Sequence, residues 1–295
     1  MVFDVIVVGG SYAGMSAALQ IARARRRVLI VDSGMPRNRF AAASHGFLAN
    51  DGRSPVEIAS DGRAELTKYP TIVWKQAIVD GAAKDEHCFV ISTEDGTTYE
   101  AKRVVLATGV QDDLPDIPGL KERWGKYVFH CPYCHGYELN QGRIGVLATG
   151  PIAMHHALML PDWGQTTLFT NGVFEPDPDQ FQQLNSRGVH IETERVEEVT
   201  GDRVDVRLRS GQTVRLDGLF VAPATRIASA LVQQLGCALD EGPLGWFIRT
   251  DSFKETTTPG VFACGDVARP AGSVALAVGD GAVAGTAVHQ SLIFR

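Results

Sequence analysis

The hydrophobic residues of this chain fall into short continuous runs that end at or near glycine. A run over residues 4–8 leads into a glycine-rich turn, an alanine-rich stretch to about Arg25 and a second apolar run over residues 28–32. A continuous apolar strand followed by a tight turn, a helix and another such strand is typical of a parallel β-α-β unit. The same succession over residues 143–170, with a helix to about Leu160, predicts a second unit.

The segments that follow the two units alternate between apolar and polar residues. Residues 70–100 and 188–221 show this period of two and are divided by Asp-Gly, Gly-Asp and Ser-Gly pairs. Alternation bounded by such turn residues predicts antiparallel strands. Further apolar strands are predicted over residues 103–109 and 260–266, and a helix of small residues begins near Ser273. The chain is therefore predicted to contain two similar α/β halves.

The composition excludes several classes of function. With 295 residues, of which 44% are hydrophobic, the chain is long enough for two domains and too apolar to be disordered. A formal net charge of -6 supplies no basic field for nucleic acid. The apolar runs are shorter than the roughly 18 residues of a membrane span, and no basic segment precedes the first one. We therefore expect a cytoplasmic protein that binds neither nucleic acid nor a membrane.

The turn after the first strand matches a dinucleotide-binding motif in all but one position. Gly9 and Gly14 occupy the first and last glycine positions, Ser11 replaces the middle glycine, and Asp32 ends the second strand. Such a turn directs the N–H groups of a helix at a pyrophosphate, while the acidic side chain binds a ribose. Glycines can serve a tight turn by sterics alone, but a strand, a helix and Asp32 in register favour a bound dinucleotide.

The corresponding turn of the second unit keeps less of this motif. Its residues are Ala148, Thr149, Gly150 and Pro151, and only Gly150 fits the pattern, while Pro151 suits the first position of a helix. Residues 170–172, after the next strand, supply neither an acid for a ribose nor an arginine for a 2'-phosphate. The sequence therefore favours a structural remnant over a working nicotinamide site.

Two of the five cysteines, Cys131 and Cys134, are separated by two residues in a loop that also contains His130 and His135. The pattern of haem attachment is present, but that attachment requires export, for which we find no signal peptide. Zinc is disfavoured because adjacent residues rarely reach one tetrahedral ion and there is no second cysteine pair. A dithiol/disulfide couple is favoured, since the spacing lets the sulfurs meet and a helix start lowers the pKa of a thiol. No metal is expected.

The remaining cysteines and one histidine pair are interpreted as structural. Cys88, Cys237 and Cys264 are single residues in apolar strands or at helix ends, which predicts packing roles. His155 and His156 are neighbours on the second predicted helix and so face different directions. This predicts one surface residue and one packing residue rather than a ligand pair.

Four motifs together resemble those of the low-molecular-weight thioredoxin reductases, a family of FAD-dependent disulfide oxidoreductases. They are the glycine turn at residues 9–14, Ala-Thr-Gly at 107–109, the cysteine pair before a second nucleotide-type fold, and Gly-Val-Phe-Ala-Cys-Gly-Asp at 260–266. The resemblance covers essentially the whole chain. It implies an α/β fold with two Rossmann-like nucleotide-binding domains of the three-layer ββα type, bound FAD and a homodimer.

The resemblance also implies a domain order and roles for particular residues. Residues 1–112 and 244–295 would form a discontinuous FAD domain, and residues 113–243 an inserted NAD(P)H-type domain that carries the cysteine pair. Cys134 would face the flavin, and Cys131 would attack the substrate.

Within the implied FAD site, Asp266 would hold the ribityl chain. The helix that begins at Ser273 and Val274 would direct its N-terminus at the flavin ring. His45 would either touch the flavin or cap a loop, and both possibilities stay open. The implied cofactor-binding residues are Gly9, Gly10, Ser11, Tyr12, Ala13, Gly14, Asp32, Ser33, Arg39, His45, Val79, Ala107, Thr108, Gly109, Gly265, Asp266, Ser273 and Val274.

The chain departs from the reductases at their NADPH contacts and between the cysteines. Residues 148–153 replace the glycine-rich Gly-Gly-Gly-Asp-Ser-Ala turn of the family, and residues 169–174 replace its arginine-rich segment. Both changes remove NADPH contacts. The Cys-Pro-Tyr-Cys-His-Gly-Tyr-Glu sequence at 131–138 is similar to that of flavin-dependent dithiol oxidases of the gliotoxin and holomycin oxidase type, which return electrons to oxygen. His135 could there take a proton from an incoming thiol.

We therefore predict a flavoprotein disulfide oxidoreductase that uses Cys131 and Cys134 to oxidise a small dithiol. Oxygen is the expected electron acceptor, His135 the expected base, and NADPH is expected to contribute little or nothing. Two alternatives stay open. The chain could work as a thioredoxin reductase that takes electrons from NADPH or another donor and passes them to a thioredoxin-like protein, or as a non-catalytic flavin sensor.

Overall fold

Strands and helices alternate through the computed structural model, which describes residues 2–295. The strands are β1 (Phe3–Val8), β2 (Val28–Asp32), β3 (Ile72–Gln76), β4 (Val79–Lys84), β5 (Phe89–Thr93), β6 (Thr98–Leu106), β7 (Gln111–Asp113), β8 (Val128–Phe129), β9 (Gln141–Leu147), β10 (Gly164–Phe169), β11 (His190–Glu192), β12 (Val196–Thr200), β13 (Val204–Leu208), β14 (Thr213–Leu216), β15 (Gly218–Val221), β16 (Ala224–Arg226), β17 (Leu239–Gly242), β18 (Gly245–Ile248) and β19 (Val261–Ala263).

The helices are mostly short, apart from the last. They are α1 (Tyr12–Arg23), α2 (Pro55–Leu66), α3 (Pro132–His135), α4 (Ala153–Met159), α5 (Pro178–Ser186), α6 (Leu231–Gln234) and α7 (Val274–Phe294). Short 3-10 helices lie at Arg37–Phe40, Lys121–Arg123, Tyr137–Leu139, Leu160–Asp162 and Asp266–Ala268.

The contacts within the chain divide it into two compact units. Unit 1 contains the residues up to Arg39, Ser54–Gln111 and Thr225–Arg295, whereas unit 2 contains Phe40–Arg53 and Asp112–Ala224. The predicted boundaries after residues 112 and 243 remain a prediction. By its contacts, the stretch over residues 225–243 groups with unit 1, and the Phe40–Arg53 segment groups with the unit that carries the cysteine pair.

Unit 1 is built on a mixed sheet with the strand order β3-β2-β1-β6-β5-β4, and β19 pairs with β6. β1 is parallel to β2 and β6, and β19 is parallel to β6. The apolar side chains of β1 and β2 are buried, which is why these strands are continuous hydrophobic runs in the sequence. β17 and β18 form an antiparallel pair beside β16.

Small residues let α1 and α7 approach each other closely. A side chain at Gly281 would overlap the carbonyl oxygen of Ala13, and one at Gly285 would overlap that of Ala17. The helix of small residues predicted from Ser273 onward is confirmed as α7, with Ser273 at its N-cap.

One predicted strand pairing is wrong. The alternating pattern predicts antiparallel strands throughout residues 70–100, but β3 is parallel to β2, with Ile72 opposite Val28. The reason is α2, which lies between β2 and β3 in the chain. This helix carries the chain back to the end of the sheet at which β2 begins, so β3 runs in the same direction as β2. The apolar pattern does not indicate α2, although Ser54 and Glu57 form a capping box at its start.

Unit 2 repeats the β-α-β pattern, as the sequence predicts. Its sheet has the order β11-β10-β9-β15-β8 with all pairs parallel, and β12, β13 and β14 form an antiparallel meander. On α4, His155 is exposed and His156 is buried, which confirms the prediction of one surface and one packing residue. The α/β fold class with two nucleotide-type units is thereby confirmed.

Two negative findings concern the residues that the structure describes. Within residues 2–295, no helix has both the length and the apolar character needed to cross a membrane. The same stretch holds no group of three or more His, Cys, Asp or Glu side chains arranged to hold a metal ion.

Candidate redox and cofactor sites

The turn between β1 and α1 requires glycine at two positions. Gly9 has a φ of +100°, and the Cβ of a larger residue would lie 2.7 Å from the carbonyl carbon of Ala107. A Cβ at Gly14 would overlap the carbonyl oxygen of Gly9. Backbone from the end of β6 therefore approaches this turn so closely that only glycine fits, as the dinucleotide motif predicts.

The start of α1 leaves its N–H groups open to an anion. Its first turn contains no acidic residue, and Ser11 at the N-cap makes no side-chain capping bond to the described part of the chain. Asp32 is held at the turn because its two carboxylate oxygens accept hydrogen bonds from Gly10 N at 2.8 Å and Gly34 N at 3.1 Å. Its remaining lone pairs can accept from ribose hydroxyls.

Other residues of unit 1 fit a flavin dinucleotide. The Thr108 hydroxyl is buried and has no hydrogen-bond partner among the described residues, so a bound polar group would satisfy it. Asp266 is fixed by an ion pair in which Arg37 Nη1 lies 2.8 Å from its Oδ2. At the start of α7, Ser273 Oγ accepts a hydrogen bond from Leu276 N at 3.2 Å, and the first turn has no acidic residue. These groups and the glycine turn would hold FAD.

Sequence reasoning chose Arg39 for this site and missed Arg37. The Arg39 guanidinium donates to the carbonyl oxygen of Pro36 at 2.9 Å, whereas Arg37 pairs with Asp266. Both arginines flank one asparagine, so the sequence gives no basis for choosing between them. Gly265 has a φ of +77°, with a hypothetical Cβ 2.8 Å from that of Ala13. The other predicted cofactor residues in unit 1 are Tyr12, Ser33, Val79, Gly109 and Val274.

The cysteine pair forms the turn that begins α3 in unit 2. Cys131 and Cys134 are joined in a disulfide with Cα atoms 5.3 Å apart, and Cys131 is the N-cap residue of α3. Trp163 packs against this turn. The Tyr133 ring meets it edge-on at 5.4 Å, and a Cβ at Gly136 would lie 2.8 Å from the Trp163 ring.

His135 is half-buried against an aromatic side chain. Its ring stacks on Phe129 with centroids 4.2 Å apart and planes at 21°. Burial, followed by the charge of His45, lowers the pKa of His135 to about 4. At neutral pH the ring is therefore uncharged, so it can accept a hydrogen bond but holds a proton weakly. Its assignment as the base stays a prediction.

His45 lies in unit 2 and is paired with acidic residues. Its Nδ1 is 3.4 Å from Glu138 Oε1 and 3.7 Å from Asp51 Oδ1, and 19% of its side chain is exposed. Glu138 lies in the 3-10 turn that directly follows α3. Sequence reasoning quoted Glu138 within the cysteine motif but gave it no role, because the motif alone does not show that residue 45 is nearby.

His156 supports the backbone that leads into the cysteine pair. Its side chain is buried and hydrogen-bonds to the backbone of His130, while its Nδ1 has no partner in the described part of the chain. Burial, with the nearby His155 as a second cause, lowers the pKa of His156 to about 4. The neutral ring packs against Phe220 with centroids 6.1 Å apart.

The second nucleotide-type turn uses its polar groups internally. Thr149 Oγ1 donates to the carbonyl oxygen of Ala222 at 2.7 Å, and Asn171 Oδ1 accepts from Val196 N at 2.9 Å. One feature escaped the sequence reasoning. Arg195 is remote in the chain, yet its Nε lies 3.1 Å from where a Cβ at Gly172 would be, so an arginine does reach the end of β10.

The single cysteines take no part in either site. Burial raises the pKa of the Cys264 thiol to about 12. Burial, and then the charges of Glu100 and Asp85, raise the pKa of the half-buried Cys88 thiol. Cys237 is buried. Cys88 and Cys264 stay protonated at neutral pH and are not nucleophiles.

A dinucleotide turn in one unit and a redox disulfide in the other are the features of a flavoprotein disulfide oxidoreductase. Residues 3–282 match the family model described as pyridine nucleotide-disulphide oxidoreductase, and the chain belongs to that family. Membership implies FAD as the cofactor.

Individual relatives cover nearly the whole chain. The chain is 34% identical to the thioredoxin reductase sirT of Leptosphaeria maculans, over 98% of this chain and 94% of the relative. The crystal structure of an oxidoreductase from Agrobacterium tumefaciens is 57% identical with a TM-score of 0.97, covering 100% and 99% of the two chains. The crystal structure of HlmI is 39% identical with a TM-score of 0.92, covering 99% and 93%.

Proposed function

We propose that this protein oxidises a small dithiol to a disulfide through Cys131 and Cys134, with oxygen as the final electron acceptor and little or no use of NADPH. The observation that carries the proposal is the internal bonding of the second nucleotide turn. Thr149 and Asn171 use their side-chain polar atoms in hydrogen bonds to the backbone of Ala222 and Val196. The groups that would contact a nicotinamide dinucleotide are therefore already hydrogen-bonded within the protein. By contrast, both cysteines of the redox turn are present and are joined in a disulfide.

The chemistry of the protein's own residues is thiol–disulfide exchange. A substrate thiolate attacks Sγ of Cys131, so a substrate–Cys131 bond forms, the Cys131–Cys134 bond breaks and Cys134 leaves as a thiolate. The second substrate thiol then attacks the substrate sulfur of this mixed disulfide and releases Cys131. The substrate has lost two electrons and two protons, and the enzyme holds a dithiol.

The residues of the cofactor turn bind and orient the electron acceptor. The glycine turn and the start of α1 would hold the pyrophosphate, Asp32 the ribose, and Asp266 with Arg37 the chain that leads to the flavin. Bound FAD would supply the two-electron chemistry that reoxidises the cysteine pair and delivers electrons to oxygen. His135, which directly follows Cys134, stacks on Phe129 beside the exchange site.

A second candidate function rests on Arg195. Because its guanidinium reaches Gly172 at the end of β10, it could bind the 2'-phosphate of NADPH and support a thioredoxin-reductase activity in the opposite direction. A thioredoxin-like protein would then be the partner. In either case we expect a cytoplasmic homodimer, a prediction that comes from the family resemblance.

Anaerobic titration of the purified flavoprotein separates the two functions. We expect dithiothreitol to bleach the flavin absorbance, and NADPH and NADH to leave it unchanged over the same period. Readmission of oxygen should restore the absorbance and produce hydrogen peroxide. Rapid bleaching by NADPH that is lost in Arg195→Ala would establish the reductase instead. Failure of every thiol to reduce wild type would support a non-catalytic sensor.

A further inference from the structure

Dithiol oxidation requires a group that takes up protons beside the Cys131–Cys134 disulfide. The attacking species is a thiolate, and a small thiol in water is mostly protonated at neutral pH. A positioned base within the site would therefore set the rate of the first exchange. The question is which side chain of unit 2 provides it.

The residue next to the cysteines is poorly suited to hold the proton. His135 is half-buried and stacked on Phe129, and protonation would place a charge in an environment that disfavours it. A general base is most effective when its pKa lies near the operating pH, and the pKa of His135 lies well below neutral pH. His156 is buried, and its bonded nitrogen is committed to the backbone of His130.

His45 has the environment that these two histidines lack. It lies beside the turn that carries the cysteine pair, because its contact Glu138 is only four residues after Cys134 in the chain. Its Nδ1 faces Glu138 Oε1 at 3.4 Å, and part of its side chain reaches solvent. A carboxylate beside one ring nitrogen favours the tautomer that carries its proton on that nitrogen, in which Nε2 is the acceptor.

We infer that His45, oriented by Glu138, accepts the proton of the substrate thiol when that thiol attacks the Cys131–Cys134 disulfide. The inference rests on the proposed function, since it names a residue of the same exchange step. It moves His45 from the predicted flavin site to the redox site. It also changes the part of His135 from base to packing residue of the redox turn.

The proton and electron balance closes without a further reactant. The substrate thiol proton passes to His45 Nε2 as the substrate–Cys131 bond forms and Cys134 departs as a thiolate. The protonated His45, stabilised by Glu138, then returns that proton to a cysteine thiolate or to water. Two electrons move from substrate sulfur to the cysteine pair, which is the oxidant already present.

The pH dependence of this step is set by the groups that face His45. These are Glu138 from the turn after α3, His135 from α3, and Asp51 from the loop of His45 itself. Glu138 and Asp51 each place a carboxylate beside Nδ1 of His45. Of the two carboxylates, Glu138 is nearer and less exposed, 42% against 70% of the side chain.

The test measures the initial rate at which oxidised dithiothreitol forms when the holoenzyme is mixed with dithiothreitol without oxygen. Rates are compared between wild type and variants from pH 6 to pH 9. Because dithiothreitol ionises identically in each sample, its own pH dependence cancels in the ratio. The variants are His45→Gln, His45→Ala, Glu138→Gln and His135→Gln, with His155→Gln as an exposed-histidine control in the same unit.

We expect His45→Gln to be at least tenfold slower at pH 6 to 7, since a positioned base contributes about 10²–10⁴-fold. The deficit should shrink towards pH 9, where the thiol ionises unaided. Imidazole in the buffer should restore part of the rate of His45→Ala at neutral pH. Glu138→Gln should lose about fivefold with the same trend, as a partly exposed ion pair contributes up to about 1 kcal/mol. His155→Gln should match wild type.

The pattern across pH separates proton transfer from a structural role. A loss in His45→Gln that is equal at every pH and insensitive to imidazole would overturn the inference, as would a pH-selective loss found in His135→Gln instead. Thermal melts and disulfide content identify any variant that fails to fold, and the imidazole response of His45→Ala then decides. If wild type consumes no oxygen with any dithiol, the proposed function fails, yet this step still tests His45.

Discussion

The two nucleotide-type turns of the molecule share a backbone plan but differ in what their polar groups do. In the first, Ser11 makes no capping bond to the described residues and the Thr108 hydroxyl is buried without a partner there. In the second, Thr149 and Asn171 bond to other parts of unit 2. We therefore expect binding of a dinucleotide to depend on the polar groups that folding leaves unsatisfied, and not on the β-α-β shape alone.

The glycines show the same contrast. Gly9 and Gly14 are pressed against backbone, whereas a Cβ at Gly150 would meet no atom within 4 Å. Close approach of backbone in the first turn is what brings helix N–H groups to a pyrophosphate. At the positions that correspond to Gly9 and Gly14, the second turn has Ala148 and Ala153, whose methyl groups are buried.

The largest effect is expected when a side chain is added at Gly14 in the first turn. Gly14→Ala should abolish FAD binding and lower the melting temperature, because the added Cβ overlaps the carbonyl oxygen of Gly9. The ratio of flavin absorbance to protein after gel filtration measures the loss. Gly279→Ala is the matched control, since that α7 position has open space around it. It should keep its flavin and gain up to about 1 kcal/mol from the better helix propensity of alanine. Full flavin content in Gly14→Ala would contradict the comparison.

The next effect is a loss of stability in acid that originates in unit 2. The pKa values of His135 and His156 are lowered to about 4, whereas an unfolded histidine titrates near 6.5. Between these values the unfolded chain binds more protons, so the free energy of unfolding is highest above pH 6.5 and falls as the pH drops towards 4. We expect about 2 kcal/mol per histidine between pH 7 and pH 5, measured by urea unfolding.

His156→Gln isolates one of the two contributions. Glutamine can still donate to the backbone of His130 but does not titrate, so the decrease between pH 7 and pH 5 should be smaller by about 2 kcal/mol than in wild type. His190→Gln, at an exposed position of β11 in the same unit, provides the reference. An unchanged pH dependence in His156→Gln would show that the buried ring does not control acid stability.

A smaller effect is expected at Asp32, which ends β2, and at Asn171, which lies shortly after β10 in the second unit. Asp32→Ala should weaken FAD binding by tenfold or more, since hydrogen bonds to a charged group contribute about 1.5–3 kcal/mol. Asn171→Ala should leave FAD affinity unchanged and cost about 2 kcal/mol of stability, from its bond to Val196 N and its φ of +54°. Titration of the apoprotein with FAD and urea unfolding measure the two quantities. Equal losses of FAD affinity in both variants would erase the distinction between the turns.

The smallest effects concern the two hydroxyl side chains of the turns. Thr149→Val should cost about 1 kcal/mol of stability by leaving the Ala222 carbonyl without its donor, and should not change flavin content. Ser11→Ala should change stability by less than about 0.5 kcal/mol and weaken FAD binding several-fold. The same apoprotein titration and unfolding experiments check both. A stability loss in Ser11→Ala as large as that in Thr149→Val would mean that Ser11 is also engaged internally.

Local sequence patterns predicted those elements whose formation depends on their own residues. The runs that became β1, β2, β9 and β10 are apolar because both faces of a parallel strand are buried. The α2 helix and the parallel pairing of β3 were missed, since strand direction depends on the path of the connection rather than on the alternation of residues 72–76. The capping box of Ser54 and Glu57 was the available signal for α2.

Contacts between candidate site residues were likewise predictable only where the residues are close together in the chain. The disulfide partners are three positions apart, so the sequence could pair Cys131 with Cys134 directly. The pairing of His45 with Glu138 and the approach of Arg195 to Gly172 join residues that are far apart in the chain. No hydrophobic period or sequence motif indicates a contact between residues that are so far apart in the chain.

The sequence by itself determined the α/β class, the glycine turn with Asp32, the redox cysteines and the smaller number of glycines in the second turn, because each depends on residues that are close together along the chain. Only the tertiary structure decided which histidine is buried and uncharged, which one faces a carboxylate, and which turn has polar groups to spare. Burial and hydrogen-bond partners are properties of the packed chain, and they set the pKa of a side chain and its freedom to bind.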